Sequence, residues 1–272
     1  MSDAVPFLIS RLGDAAAFVQ TAVQQARADR SRLPVLFPQL PRKVGKDGLR
    51  SGRQTLGGAA VDLDGWRRCD AAALVLLASV QATDAELWSL YEHGDIEERA
   101  MLLRALHLLP IGLVTIRLLG EVQRTNMVLH VEAALCDGDL LVRTLGQAGF
   151  GAADANRLLL KAAFLDLPLR RLFGAERLAN PELSRMLQDL ATEREAAGRG
   201  VWRDTWRLIG RAPTDGSAAR LVGGLEHGDD GVRLAAADGL LASKRADLHA
   251  FARERLPREP RAEIRAVLQQ LG

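Results

Sequence analysis

A Gly-Asp pair followed four residues after the Asp by an Arg occurs three times in this chain. The copies are Gly94-Asp95…Arg99, Gly138-Asp139…Arg143 and Gly228-Asp229…Arg233. The longest match sets Glu92-His93-Gly94-Asp95 against Glu226-His227-Gly228-Asp229, and each leads into a run of Ala and Leu. The first two copies lie 44 residues apart and the last two 90, about twice that spacing. Such a period belongs to two-helix repeats, in which neighbouring helical pairs bury a continuous core. The Asp suits a helix start, where unpaired amides and the helix dipole favour a carboxylate. The Arg, one turn on, is placed to pair with that Asp or with the preceding repeat. Asn180-Pro181…Arg185 reads as a degenerate copy. The expected fold is all-α: stacked antiparallel helical pairs in a right-handed, HEAT-like α-solenoid.

Composition agrees with that reading. The 272 residues are 48% hydrophobic, but only 4% are aromatic, and Ala, Leu and Arg dominate. These residues lose little on entering a helix, whereas strand formers are scarce. Lys and Arg number 36 against 34 Asp and Glu, a net charge of +2 that argues against a nucleic-acid groove. Cys69 and Cys136 stand 67 residues apart with no Cys-x-x-Cys pair, as expected of buried free thiols in a reducing compartment. The longest strongly apolar stretch, Ala71 to Val80, is too short to span a bilayer. No leader pattern opens the sequence, so cytoplasmic residence is the expectation.

Along the chain, the first helix is expected from about Val5 to Arg30. Pro34, Pro38 and Pro41 then interrupt it, and a Gly-rich stretch continues to Gly65 as an ordered strap or a linker. Short turns separate helices from Trp66 onward, including one long or two abutting helices over Ile111 to Ala134. Asn180-Pro181-Glu182 is a strong helix start. Val201 to Ile209 is expected to be helical, with Trp202 and Trp206 on one face. Residues 1–212 are taken as one helical domain and 213–272 as a helical-repeat extension packed on the same solenoid.

No phosphate-binding glycine loop, zinc-protease motif or nucleophile elbow is present. The five histidines do not cluster, and neither a metal nor a cofactor is expected. The densest polar feature in an apolar setting is Arg117, Glu121, Arg124, Thr125, Asn126, His130 and Glu132. Arg117, Glu121 and Arg124 share a helix face by spacing. The set fits either recognition of an acidic or hydroxylated ligand or the pinning of adjacent helices. Asn156 and Lys161 interrupt the next apolar helix. Lys161, one of four lysines, reads as a snorkelling side chain or a nucleophile of lowered pKa. Glu193 and Arg194 end a solvated helix and are placed to face the same polar network.

Several ordered stretches resemble the EboA-domain family. They are Trp66…Ala72-Ala73…Leu77, Leu90-Tyr91…Gly94-Asp95…Glu98-Arg99-Ala100…Leu103-Arg104-Ala105-Leu106…Leu109-Pro110, and Glu121…Arg124-Thr125-Asn126 with Glu132-Ala133. Asn156…Leu160-Lys161-Ala162…Phe164, Arg177…Ala179-Asn180-Pro181-Glu182-Leu183-Ser184-Arg185-Met186-Leu187, and Glu193-Arg194 followed by Ala197-Gly198-Arg199 extend the match. Pro41-Arg42-Lys43-Val44-Gly45-Lys46 fits upstream. The resemblance covers roughly residues 5 to 212. Cys136-Asp137-Gly138 replaces a Pro- and aromatic-containing stretch of the family pattern.

The resemblance implies a non-enzymatic carrier or scaffold in handling or export of a bacterial secondary metabolite or its precursor. Implied partners are proteins of the same biosynthetic locus, a prenyltransferase-like membrane protein among them, and a small-molecule metabolite. No established catalytic residue comes with it. The expected ligand or partner site comprises Arg117, Glu121, Arg124, Asn126, Glu132, Asn156, Lys161, Asn180, Glu193 and Arg194. The alternative is a small-molecule enzyme using the cluster around Arg124, Asn126 and Lys161.

Overall fold

The computed structural model describes residues 3–271. The chain is almost entirely α-helical with extensive helix–helix packing, and it divides into two compact units. One comprises residues 1–155 and 170–173, the other 156–169 and 174–272.

The first unit is built around the helix Arg68–Ser79, whose residues from Cys69 to Leu77 are all buried. A helix buried on every side has no polar stripe, as this run of Ala, Leu and Val requires. The helices Ala4–Arg11, Ala16–Ala28 and Ile96–Ala105 pack against it, and Leu113–Arg124 and Val128–Leu135 extend the core. The expected span Ile111 to Ala134 is thus two helices, broken at Thr125-Asn126-Met127, where Thr125 Oγ1 accepts the Met127 amide at 3.1 Å. The proline-rich segment is ordered. Pro34, Pro38 and Pro41 each sit at the start of a short helical turn, where the missing N–H costs no hydrogen bond.

The Gly-rich stretch is neither helix nor irregular strap, which adds a small β element to the helical architecture. Arg53–Leu56 and Ala59–Asp62 form an antiparallel hairpin, with Leu56 opposite Ala59. Gly57 and Gly58, at φ 58° and 82°, supply the left-handed pair that a two-residue hairpin turn demands. The second strand docks by backbone bonds on residues 137–139: Asp62 N donates to Asp137 O at 2.8 Å, and Asp139 N to Ala60 O at 3.2 Å. On the opposite side, Asp137 N donates to Arg171 O at 2.6 Å and Phe173 N to Gly138 O at 3.0 Å. The Cys136-Asp137-Gly138 turn is therefore clamped between the hairpin and residues 171–173.

In the second unit, Thr205–Arg211 and Asp230–Ser243 cross so closely that a Cβ on Gly239 would stand 2.2 Å from Trp206 O. Trp202 and Trp206 are both buried, with their Nε1 atoms donating to Leu167 O and Arg220 O, each at 2.9 Å. The helix expected from Val201 begins at Thr205, after the turn at Trp202.

Two of the three recurring Asp residues cap their helices, whereas Asp139 makes no cap bond and accepts the Ala60 amide at 3.1 Å instead. Asp95 Oδ1 accepts the Glu98 amide at 2.9 Å, and Asp229 Oδ1 the Val232 amide at 3.0 Å. Arg99 donates back to Tyr91 O and Glu92 O at 2.9 and 3.0 Å. Arg233 reaches His227 O and Gly228 O in the same way, at 2.9 and 3.1 Å. Each Arg thereby satisfies carbonyls just before its own helix, as the Asp satisfies amides at its start. At the middle copy Arg143 pairs with Asp139 at 2.7 Å and donates to His107 O. Asn180 does cap its helix, but Arg185 lies exposed on Glu182 and Asp189 and grips no preceding carbonyl.

Candidate functional site

The helix Arg68–Ser79 opens with an Arg and an Asp three residues apart. Asp70 accepts the Arg67 amide at 2.8 Å, which closes the helix start, and its carboxylate is then held by the Arg67 guanidinium. Nε and Nη2 of Arg67 donate to the two Asp70 oxygens at 3.1 and 2.9 Å, while Nη1 reaches Glu97. Lys46 Nζ stands 3.2 Å from the same Glu97. Although burial disfavours its charge, the Asp70 and Glu97 bonds hold the Arg67 guanidinium more firmly protonated than usual. The Arg67 hydrogen bond is the main cause that keeps Glu97 below the usual carboxylate range, against burial.

A second arginine fork lies beside it. Arg171 Nε and Nη2 donate to Asp137 Oδ1 and Oδ2 at 2.9 and 2.7 Å, and Nη1 donates to Glu132 Oε1 at 2.5 Å. Arg104, only 5% exposed, donates Nη1 to Cys136 O at 3.1 Å and to Asp137 Oδ2 at 3.3 Å. Burial pushes the Asp137 carboxyl up, but the Arg171 bonds and the Arg104 and Arg171 charges outweigh it and hold Asp137 below its ordinary value. His107 is fully buried, and burial with the Arg104 charge pushes its imidazole down to about 3. A neutral ring whose Nε2 lies 3.0 Å from Ala133 O carries its proton there.

These side chains enclose a recess of about 160 Å³ lined by Arg67, Asp70, Arg104, Glu132 and Arg171, with Leu129 at its half-exposed edge. Its wall presents three guanidiniums and two carboxylates. Arg67 and Arg171 have every nitrogen engaged with carboxylates, so their positions are fixed. Arg104 differs: Nη1 alone is hydrogen-bonded among the described residues, and the buried Nε has no partner. An unsatisfied buried donor costs about 1–3 kcal/mol, more on a charged group. Such a wall can bind a small polar group. Proton transfer by His107 does not fit, because its remaining ring nitrogen is buried and its basicity is abolished. Among the described residues no three His, Cys, Asp or Glu side chains form a metal-binding group.

The ten residues singled out in the sequence divide evenly between the two units. In the first, Arg117 lies over the Trp88 ring, 3.2 Å from its centroid, and the exposed Arg124 pairs with Glu121 at 2.6 Å. Asn126 is exposed in the break between two helices. Glu132 alone among them reaches the recess. In the second unit, buried Asn156 and half-buried Asn180 exchange side-chain amide hydrogen bonds of 3.1 and 2.8 Å. Lys161 is half-buried with Nζ 5.7 Å from the Phe164 ring centroid. Glu193 is exposed, and Arg194 turns to Asp166 at 2.8 Å and to Phe164 O at 3.2 Å.

Arg67, Asp70, Arg104 and Arg171 were not among those ten. Arg104 carries a readable signal, as a charge within the apolar run Met101 to Leu106, and Asp70 a weaker one, as the acid that follows Arg67-Arg68 at the start of an apolar helix. Arg171 has none, because its neighbours in sequence say nothing of Asp137.

A model of the family described as "Metabolite traffic protein EboA" matches residues 14–210. The match takes in the hairpin, both arginine forks and the whole wall of the recess. No curated protein and no solved structure matches this chain.

Proposed function

Because this chain belongs to the EboA family of metabolite traffic proteins, we propose that it is a non-enzymatic binding or scaffold protein in the handling or export of a bacterial secondary metabolite or its precursor. The observation that carries this reading is the charged recess of the first unit, made wholly from residues inside the family match. Binding, rather than catalysis, is favoured by how the reactive groups are held. Burial pushes both the Cys69 and Cys136 thiols up to about 12, which removes them as nucleophiles at neutral pH. The recess carboxylates, Asp70 and Glu132, are each tied to a guanidinium.

The repeated Asp cap and Arg clasp support a further proposal, that the helical pairs within each unit stack in the manner of HEAT repeats. Proteins of the same biosynthetic locus, including a prenyltransferase-like membrane protein, are the proposed partners. No helix among the described residues is long and apolar enough to cross a membrane, so contact with such a partner falls to the helical surfaces.

Native mass spectrometry of the protein recovered from its own cells tests the carrier role. A discrete small molecule co-purifying at a fixed stoichiometry is the expected result. Loss of that species from a variant with Leu129→Trp at the edge of the recess would locate it. Protein that carries no small molecule, and turns over a metabolite of its locus instead, would overturn the proposal.

A further inference from the structure

The wall of the recess has one open donor edge and one open acceptor. Arg104 is almost fully buried, yet its Nη2 donates to no group among the described residues, and its Nε, unpartnered too, is closed off from solvent behind it. Glu132 spends Oε1 on Arg171, while its Oε2 accepts no hydrogen bond among the described residues. The flanking Arg67 and Arg171 cannot swing to fill either role, because two carboxylates hold each of them. The site is therefore preorganised, with its ordering cost met by the fold rather than by the ligand.

Size and charge narrow the occupant. At roughly 30 Å³ per water molecule, about 160 Å³ admits about five waters or a compact molecule of similar bulk. A large polycyclic metabolite does not fit whole. Guanidinium geometry favours an oxyanion, and a carboxylate acceptor favours a hydroxyl or ammonium donor. Counting the charges behind the wall, Arg67, Arg104, Arg171 and Lys46 face Asp70, Glu97, Glu132 and Asp137, so the surroundings balance. A balanced wall of alternating sign suits a ligand carrying both kinds of group better than a bare polyanion.

We infer that the recess binds a small hydroxylated oxyanion, with its carboxylate or phosphate on Arg104 and a hydroxyl on Glu132. This rests on the carrier reading and specifies the class of cargo or precursor.

The test is titration calorimetry on the full chain with three probes: D-glycerate, inorganic phosphate and glycerol. Saturable binding of D-glycerate is expected, with phosphate weaker and glycerol silent. Phosphate tighter than D-glycerate would overturn the inference, because a bare oxyanion would then suffice without the hydroxyl on Glu132. Arg104→Met and Leu129→Trp are each expected to weaken D-glycerate at least tenfold, and Glu132→Gln to erase the preference for D-glycerate over phosphate. Leu129 is a partner in none of the ion pairs, so that variant decides the matter if Arg104→Met does not fold. Glycerol binding as well as D-glycerate, no oxyanion binding, or binding unchanged by Leu129→Trp would each overturn the inference. A native metabolite retained equally by wild type and Leu129→Trp would sink this assignment but leave the carrier reading standing. Oxyanion binding without any retained metabolite or partner would do the reverse.

Discussion

Arg171 holds Asp137 through two parallel hydrogen bonds, 2.9 and 2.7 Å long, across 34 residues of chain. The same carboxylate accepts Arg104 from the other side. Because Asp137 N also donates to Arg171 O, backbone and side chain close the same contact. This one pair fixes the turn at Cys136-Asp137-Gly138, the docking of the hairpin upon it, and the floor on which Arg104 is presented.

Replacing Asp137 with Asn keeps the shape but leaves one buried guanidinium, Arg104, and one half-buried guanidinium, Arg171, without their shared counter-charge. Removing one partner of a buried ion pair costs about 3–5 kcal/mol, and a loss at the lower end is expected because Glu132 still holds Arg171. Urea denaturation at pH 7 measures it. The pH dependence has a definite sign. The folded-state value of Asp137 is depressed, so its stabilisation is complete above the unfolded value of about 3.9 and disappears as pH falls through the folded value. Wild type should therefore lose stability more steeply than Asp137→Asn below about pH 4. Parallel curves would show that Asp137 adds nothing through its charge.

The amides of Asn156 and Asn180 form a reciprocal pair, and Asn180 Oδ1 also accepts the Leu183 amide at 3.0 Å. Asn180→Ala should cost about 1–2 kcal/mol from the lost cap alone. A double-mutant cycle with Asn156→Ala should return a coupling of about 0.5–3 kcal/mol. Additive single effects would mean that the pair contributes no more than its separate parts. Arg124→Ala is a useful contrast: its pair with Glu121 is exposed, and the change should stay within about 0.5 kcal/mol.

Near the end of the chain Glu259 is buried between Arg233 and Arg255, and it accepts the Arg261 amide at 3.1 Å. Burial pushes its carboxyl up, but the Arg233, Arg261 and Arg255 hydrogen bonds prevail and bring it down to about 2. Glu259→Gln should destabilise the second unit at neutral pH. The wild-type advantage should fade as pH drops from about 4.3, the unfolded value, towards about 2. Hydrogen exchange in Ala262–Leu268 reads this directly, and unchanged protection there would contradict it.

Gly239→Ala should destabilise more than an ordinary core substitution. The new methyl would meet Trp206 O at 2.2 Å, and neither helix backbone can yield without parting from the other. Overpacking usually costs about 1–3 kcal/mol; a value at or above the top of that range is expected from thermal or urea unfolding. A neutral result would mean that the two helices separate freely.

The helix starts were legible in the sequence because capping acts within a few residues. Asp95, Asp229 and Asn180 all cap as their neighbours predict. The short proline turns and the hairpin were not, because Pro34, Pro38 and Pro41 break a long helix yet favour the first turn of a new one. Gly57-Gly58 marks a turn, but strand pairing there depends on docking against residues 137–139.

The sequence by itself determined an α-helical chain with recurring capped helices, since propensity, spacing and capping are local properties. It also carried the family membership, which resides in an ordered series of residues. Tertiary structure alone decided which charges matter. Arg124 and Arg104 are both arginines on helices, yet one ends in solvent on Glu121 while the other is buried with donors to spare. Burial and partners 32 and 33 residues distant set that difference, and no local pattern encodes either.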